Sequence, residues 1–468
     1  MLRSDFEIMA PVGSRESLYA AFQAGADAVY FGVGKLNMRA HSANAFTIED
    51  LREIAELCRE KGVKSYLTVN TIVYDEELDE MRRIVDAAKA AGISAIIASD
   101  AAVLGYAKKA GVEVHLSTQM NISNTEALRF YAAYADVVVL ARELNLEQVK
   151  RIHSAIVSEP ILGPSGQPMR IEMFCHGALC LAVSGKCFMS LGTRGESANR
   201  GQCLQTCRRS YLVKDKTRDI ELEVDNEYIM SPKDLKTIGF LDRMIDAGVR
   251  VFKIEGRARG PEYVRTVVEC YDEAIRTYIA GEWDESCRTK WDAKLAAVFN
   301  RGFWEGYYLG APVADITNGY GTKATEKKFY VGKCVNFFVK PSIAEFVLEA
   351  GGFKKGEKLL ITGPTTGAVY AEPSEIFADE KPADTFEKKD DITFKVPESV
   401  RPGDKLYVIR TRERKKTPEF NIKAAVSSRW TCRFFLRSEK PTSETHRVLE
   451  NRLTSIQSQS YLKIGRPL

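Results

Sequence analysis

The sequence predicts an α/β chain built on a TIM-like (βα)8 barrel, with a cysteine-rich loop after the seventh strand and a small C-terminal β-barrel domain. Three observations predict it. Short β-branched runs alternate with stretches of helical period eight times within residues 7–281, the count and size of a barrel rather than of an open sheet with five or six such units. Four cysteines crowd into 28 residues directly after the seventh run. From about residue 326 the helical period gives way to alternating strands and tight turns.

The strand candidates are EIMAPVG (7–13), AVYFGV (28–33), KSYLTVN (64–70), AIIASD (95–100), VEVHLSTQ (112–119), VVVLAREL (137–144), RIEMFCHG (170–177) and VFKIEGR (251–257). Each precedes a stretch of helical period, although the chain makes a long excursion after the seventh. Ser14, Thr47 with Asp50, and Asn124 read as N-terminal caps. Glycines such as Gly92 and Gly281 read as C-terminal stops. The expected organisation is a barrel over 1–325 that includes a cysteine-rich insertion at 175–210, a β-barrel domain over 326–412, and a basic tail over 413–468.

Composition narrows the function classes. An apolar fraction of 45% and a charged fraction of 28% suit a soluble protein with a large core. No run approaches the roughly 18 to 20 apolar residues that a membrane-spanning helix needs, so no membrane insertion is expected. The start, MLRSDFEIMAPVG, lacks the apolar core of a secretory signal, and a cytoplasmic location is expected. Ten cysteines in such a chain point to metal binding or catalysis rather than disulfides. The net charge of +4 hides an asymmetry: from Arg410 onward fourteen Lys/Arg face five Glu and no Asp. Such an end is either a nucleic-acid-binding segment or a solubilising tail.

Cys180, Cys187, Cys203 and Cys207 are spaced x6, x15 and x3 within a loop rich in Gly and Arg. Four soft thiolates suit a tetrahedral zinc or an iron–sulfur cluster. The spacing is not that of paired zinc knuckles, and Arg194, Arg200, Arg208 and Arg209 would offset a cluster's negative charge. Hydrolase signatures are missing: there is no H-E-x-x-H pair and no G-x-S-x-G elbow, and only five histidines occur.

In a barrel, function sits at the carboxyl ends of the strands. His176, ending the seventh strand, is a candidate catalytic proton donor or a histidine bonded to the loop's backbone. Lys253, Glu255 and Arg257 alternate on the eighth strand, so a carboxylate lies between two cations. They read as a substrate clamp, with Glu255 and Arg257 catalytic, or as an ion-pair network closing the barrel. Asn70, Gln119, Asn121 and Arg142 stand at other strand ends and are candidate substrate-binding residues. Arg39 is a similar candidate or a solvated loop charge.

The stretch HGALCLAVSGKCFMS (176–190), with Glu172 upstream, resembles the signature of the collagenase-like peptidase family of unknown catalytic type. APVGS, GADAVYFG, STQMNISN, LARELNLEQV, SPKDL, KIEGRARGPEYV and FNRGFWEGYYLG resemble family blocks in the expected order. The resemblance covers roughly residues 6–310, with a weaker continuation to about 410. Its better-understood members are hydroxylases of the tRNA wobble uridine, of a ribosomal RNA cytidine and of the ubiquinone ring. It implies a TIM-like barrel and an iron–sulfur cluster of the 4Fe-4S type held by Cys180, Cys187, Cys203 and Cys207. It also implies prephenate as a linked metabolite, tRNA or another RNA as partner, and an electron donor that stays unidentified. The cysteine spacing and a Cys-free SPKDLKTI most resemble the tRNA uridine hydroxylase branch. Where some ubiquinone-ring members place a distant ligand, this chain has Lys236. Its segment between the cysteines and SPKDL is shorter than in the tRNA branch. Peptidase activity, and hydroxylation of ribosomal RNA or a quinone, remain the alternatives.

Overall fold

The structure, a computed structural model, describes residues 1–41, 46–211, 213–215, 220–222 and 228–412, with the backbone alone for the two three-residue stretches. The expected basic tail, 413–468, lies outside the described residues.

Eight parallel strands form the barrel: β1 (Glu7–Pro11), β2 (Ala28–Phe31), β3 (Lys64–Val69), β4 (Ala95–Ala98), β5 (Val114–Leu116), β6 (Val137–Val139), β7 (Arg170–Gly177) and β8 (Val249–Ile254). They pair in sequence order, and β8 closes the ring on both β7 and β1, with Lys253 opposite Phe174 and Glu7 opposite Val251. The predicted TIM-like barrel is therefore present. Outward-facing residues such as Ile8, Val29, Leu67 and Val138 pack beneath the helices in one large core. Met9, Tyr30, Tyr66, Ile97 and Val251 fill the lumen as a separate cluster, the two-sided burial that makes such strands nearly all apolar.

Helices α1 (Arg15–Gln23), α2 (Leu51–Glu60), α3 (Leu78–Ala91), α4 (Ala101–Ala110), α5 (Thr125–Ala132) and α6 (Leu146–Ser158) follow the first six strands. Ser14 and Asn124 cap as expected, accepting from the Ser17 and Ala127 backbone N–H at 3.2 and 2.8 Å. Thr47 does not cap. The helix after it begins at Leu51, and the Asp50 carboxylate instead accepts from the Thr47 N–H at 2.8 Å, because a carboxylate competes well for a free N–H. Gly92 and Gly281 stop their helices in left-handed geometry.

After β7 the chain leaves the barrel and forms the cysteine-rich loop, which contains the short helix α7 (Met189–Arg194). It returns through a strand at Asp234–Lys236, antiparallel to the end of β7, then α8 (Leu241–Asp246), β8 and α9 (Pro261–Ala280). One irregularity matters for the site. Phe174 pairs with Lys253 but the next pair is His176 with Ile254, so Cys175 is an extra residue in β7. Such a bulge reverses the alternation of side chains beyond it.

From Glu326 an eight-stranded antiparallel sheet follows, in the order Gly367–Ala371, Lys358–Gly363, Lys405–Thr411, Glu326–Phe338, Ile343–Leu348, Asp391–Lys395, Ile376–Ala378, Lys381–Pro382. Its strands feed one core in which Phe346 and Phe394 stack at 4.9 Å. Gln23 of α1 donates to Thr366 O at 2.9 Å, and Arg265 of α9 meets Glu398 at 2.8 Å, joining the sheet to the barrel. Among the described residues no helix is long and apolar enough to cross a membrane.

Candidate active site

The strands' carboxyl ends open into one cavity of about 180 Å³. Tyr30, Thr68, Ile97, Ser117, Phe174 and Lys253 line it from the barrel, and Cys180, Cys187, Cys203 and Cys207 line it from the loop. Asn70, Gln119, Arg142, Glu255 and Arg257 join them there. Most of the residues expected from strand-end position are thus brought together.

The loop is stitched down by specific bonds. Asn121, in left-handed geometry at φ 54°, donates through Nδ2 to Ser184 O at 2.9 Å and to Gln119 O at 2.8 Å. Asn199 Oδ1 accepts from the Cys187 N–H at 3.2 Å. Arg200 pairs with Glu77 at 2.6 Å, and Arg208 reaches Leu179 O at 2.7 Å. Two glycines permit close approach. A Cβ at Gly177 would stand 2.1 Å from Glu255 O, and one at Gly201 2.4 Å from Asn37 O. Any side chain there would push the loop off the barrel.

Lys253 and Glu255 continue a polar axis that runs down the barrel. Glu172, wholly buried, accepts from Lys253 Nζ at 2.6 Å and faces His115 Nδ1 at 3.3 Å. His115 Nε2 lies 3.4 Å from Glu113, and Glu7 accepts from Tyr66 Oη at 2.8 Å and Lys64 at 2.9 Å. Burial alone would raise the Glu172 carboxyl, but Lys253 and His115 outweigh it and hold it below its ordinary value. Burial would likewise lower His115, yet Glu113 and Glu172 raise it. Opposite charges a few ångströms apart in low dielectric decide both signs.

At the cavity itself cations predominate. Arg39, Arg142, Arg208, Arg257, Arg259, Arg301 and Lys253 line it, against one carboxylate, Glu255. Glu255 accepts from Arg39 Nη2 at 2.6 Å and from Tyr30 Oη at 3.3 Å. Burial pushes its carboxyl up, but Arg39, Arg257 and Arg142 prevail and hold it at about 2. Arg257 donates to Thr68 Oγ1 at 3.0 Å and Asn37 Oδ1 at 3.2 Å, and burial lowers it to about 10, still charged at neutral pH. The Nε atoms of Arg142 and Arg257 are buried with no hydrogen-bond partner among the described residues. Arg142 also lies over the Phe174 ring at 4.1 Å. Unanswered guanidinium donors in a pocket suit an oxyanion.

Three expectations change. His176 does not line the cavity. The bulge at Cys175 turns it outward among Tyr263, Tyr271 and Phe303, with ring centroids at 6.0, 5.8 and 5.5 Å. Burial, reinforced by Lys236, lowers its imidazole to about 3, so it is neutral and enclosed and cannot serve as the proton donor. Asn121 holds the loop rather than lining the cavity. Arg39 is no solvated charge but the main partner of Glu255. Sequence reasoning missed Tyr30, Arg259 and Arg301. The first looked like core, and the arginines follow the strand ends by spacings that no periodicity marks. Lys236 is also away from the cavity, paired with Asp292 at 2.7 Å.

The donor set bears on what the loop could hold. The four thiols are free of disulfides, and the three others act on Cys207 as like charges, so they lie within electrostatic reach of one another. Burial, above all, pushes Cys207 up to about 11 despite Arg208. Among the described residues no three His, Cys, Asp or Glu side chains converge tightly enough for a single metal ion. A mononuclear tetrahedral site, with metal–sulfur bonds of about 2.3 Å, needs such convergence. Thiols spread around one cavity suit a larger polynuclear group better.

Comparison with known proteins gives a consistent set of relatives. A model of peptidase family U32 matches residues 13–318. A protein named Collagenase from Porphyromonas gingivalis is 60% identical over 410 residues, 88% of this chain and 99% of its own length. The tRNA hydroxylation protein P1 of Bacillus subtilis is 32% identical over 366 residues, covering 76% of this chain and 83% of that protein. The 23S rRNA 5-hydroxycytidine C2501 synthase of Escherichia coli is 34% identical over 318 residues, 66% of this chain and 46% of that protein.

Proposed function

This chain belongs to peptidase family U32, and from that premise we propose that it is an iron–sulfur-dependent RNA hydroxylase whose substrate is the wobble uridine of tRNA. One observation carries the reading: four free cysteines from one loop line the same arginine-rich cavity at the mouth of the barrel. Cys180, Cys187, Cys203 and Cys207 would hold the cluster, which supplies one-electron chemistry that side chains lack. Relatives named for tRNA and rRNA hydroxylation support the reaction class.

The chain's own residues have definite work in this reading. The cavity admits a single base, so the target leaves its stack. Arg142 and Arg257, each with a free Nε, take phosphate or carboxylate oxygens. The same donors suit prephenate, the linked metabolite that the family resemblance implies. Asn70, Ser117 and Gln119 form a buried polar patch, with Asn70 Nδ2 3.3 Å from Ser117 Oγ, that can read a pyrimidine edge. Glu255 stays ionised at neutral pH and so orients or accepts a proton rather than donating one. Loop and barrel together keep bulk water from the target.

A peptidase is the second reading, favoured by the 60% identity to the Porphyromonas protein named Collagenase. Against it, His115, His153 and His176 all lie outside the cavity lining, and Glu255 at about 2 is a poor general base. Nucleoside mass spectrometry of RNA from a strain lacking the gene tests the proposal. Loss of 5-hydroxyuridine from tRNA, restored by the wild-type gene but not by a Cys180→Ser Cys203→Ser variant, is expected. Unchanged hydroxylated nucleosides in both tRNA and ribosomal RNA would sink it, and gelatin hydrolysis by the purified protein would put the peptidase first.

A further inference from the structure

The outer face of the cysteine-rich loop has a composition that the cavity does not explain. Phe188, Val183, Leu191 and Leu181 are 68%, 47%, 40% and 37% exposed within eleven residues. Single exposed apolar side chains are ordinary, but four on one short loop are not. Val183 and Met189 also line the cavity, so the apolar face runs onto its lip. From Cys180 to Tyr211 the loop carries Lys186, Arg194, Arg200, Arg208 and Arg209 against Glu196 alone. Arg200 and Arg208 are committed to Glu77 and to backbone carbonyls, whereas Lys186, Arg194 and Arg209 are exposed. Protein interfaces are depleted of lysine at their apolar centres. An aromatic face among lysines and arginines is instead how proteins hold unpaired nucleic acid.

We propose that this loop face binds the single-stranded nucleotides flanking the target base, with Phe188 stacking on a neighbouring base and Lys186, Arg194 and Arg209 neutralising phosphates. It rests on the RNA reading of the cavity and adds where and how the strand is gripped. The residues that flank a flipped base lose their stacking partner, and Phe188 replaces it at the lip.

Fluorescence anisotropy with a labelled single-stranded oligoribonucleotide, and with an RNA duplex of equal length, tests this on the full, metal-loaded chain. Wild type is expected to prefer the single strand. Phe188→Ala should weaken it roughly 5- to 100-fold and Phe188→Trp should restore it. Lys186→Ala and Arg194→Ala should each lower the salt slope of binding by about one. Because Phe188 adjoins Cys187, iron content is measured alongside; if Phe188→Ala loses iron, Leu191→Ser carries the test and should weaken binding with iron retained. A wild type that binds no RNA removes the RNA reading itself. A wild type that binds while the iron-loaded variant of this face binds as tightly removes this surface alone, as does a variant whose only defect is in self-association by sedimentation.

Discussion

Along the barrel axis Glu172 meets Lys253 at 2.6 Å and His115 at 3.3 Å, so its buried charge is answered on both sides. At the cavity above, Arg142 and Arg257 are equally enclosed, yet each keeps an Nε with no partner among the described residues. The two regions draw on the same residue types and lie one above the other. What separates them is satisfaction: the axis is complete without a ligand, whereas the cavity has donors left over. A buried polar group without a partner is costly, so the axis reads as structure and the cavity as a place for something anionic.

The largest effect should come from breaking the axis. Lys253→Met leaves Glu172 buried beside one imidazole and should lower unfolding free energy by about 3–5 kcal/mol, measured by urea denaturation. Adding Glu172→Met removes the stranded charge, and the double variant should regain most of the loss. If the double variant is no better than the single one, the pair acts through cavity packing and the distinction between axis and cavity fails.

Acid titration gives the next largest effect and probes the boundary between the two regions. The Glu255 carboxyl, held at about 2 against an ordinary 4.5, favours the folded state by about 3 kcal/mol while ionised. Its folded value is depressed, so this contribution is present in full above about pH 4.5 and is lost as pH falls toward 2. Urea midpoints of Glu255→Gln should therefore be flatter than wild type over that window. Parallel curves would mean that Arg39 and Arg257 do not hold the carboxylate as drawn.

Inside the cavity the effect should move from stability to activity. Arg142→Lys keeps the charge but loses the free Nε and the planar face over Phe174. It should reduce kcat/KM for the RNA substrate roughly 10- to 100-fold, as loss of a charged hydrogen bond does, and change unfolding free energy by under about 1 kcal/mol. Equal losses in stability and activity would place Arg142 with the axis instead.

How far the sequence foretold this depends on periodicity. The eight strands were legible because β-branched runs leave a two-residue pattern and their helices a longer one, and the cysteine loop because four thiols in 28 residues have few other uses. Strand-end position placed Asn70, Gln119, Arg142, Glu255 and Arg257 at one mouth. His176 was misplaced because a single extra residue, Cys175, reverses the alternation that put it there, and one-residue bulges leave no mark in composition. Arg39 pairs with Glu255 across 216 residues of chain, a contact that no local spacing reveals. Tyr30 reads as an ordinary core aromatic until its hydroxyl is seen donating to Ile254 O at 2.8 Å.

The smallest effect concerns how the loop is held against the barrel. Asn121 does this with two donated bonds and a left-handed backbone that glycine also tolerates. Asn121→Gly therefore keeps the chain's path and removes only the side-chain tether to Ser184 O and Gln119 O. The cost to global stability should be about 1 kcal/mol, because the barrel core lies elsewhere. The loop should feel it more: trypsin should cut after Lys186 or Arg194 several times faster, while the urea midpoint of the barrel hardly moves. If cleavage stays slow, the bonds of Asn199, Arg200 and Arg208 suffice to hold the loop. If cleavage and midpoint shift together, loop and barrel unfold as one unit, and the four thiols stand on a platform as rigid as the axis beneath them.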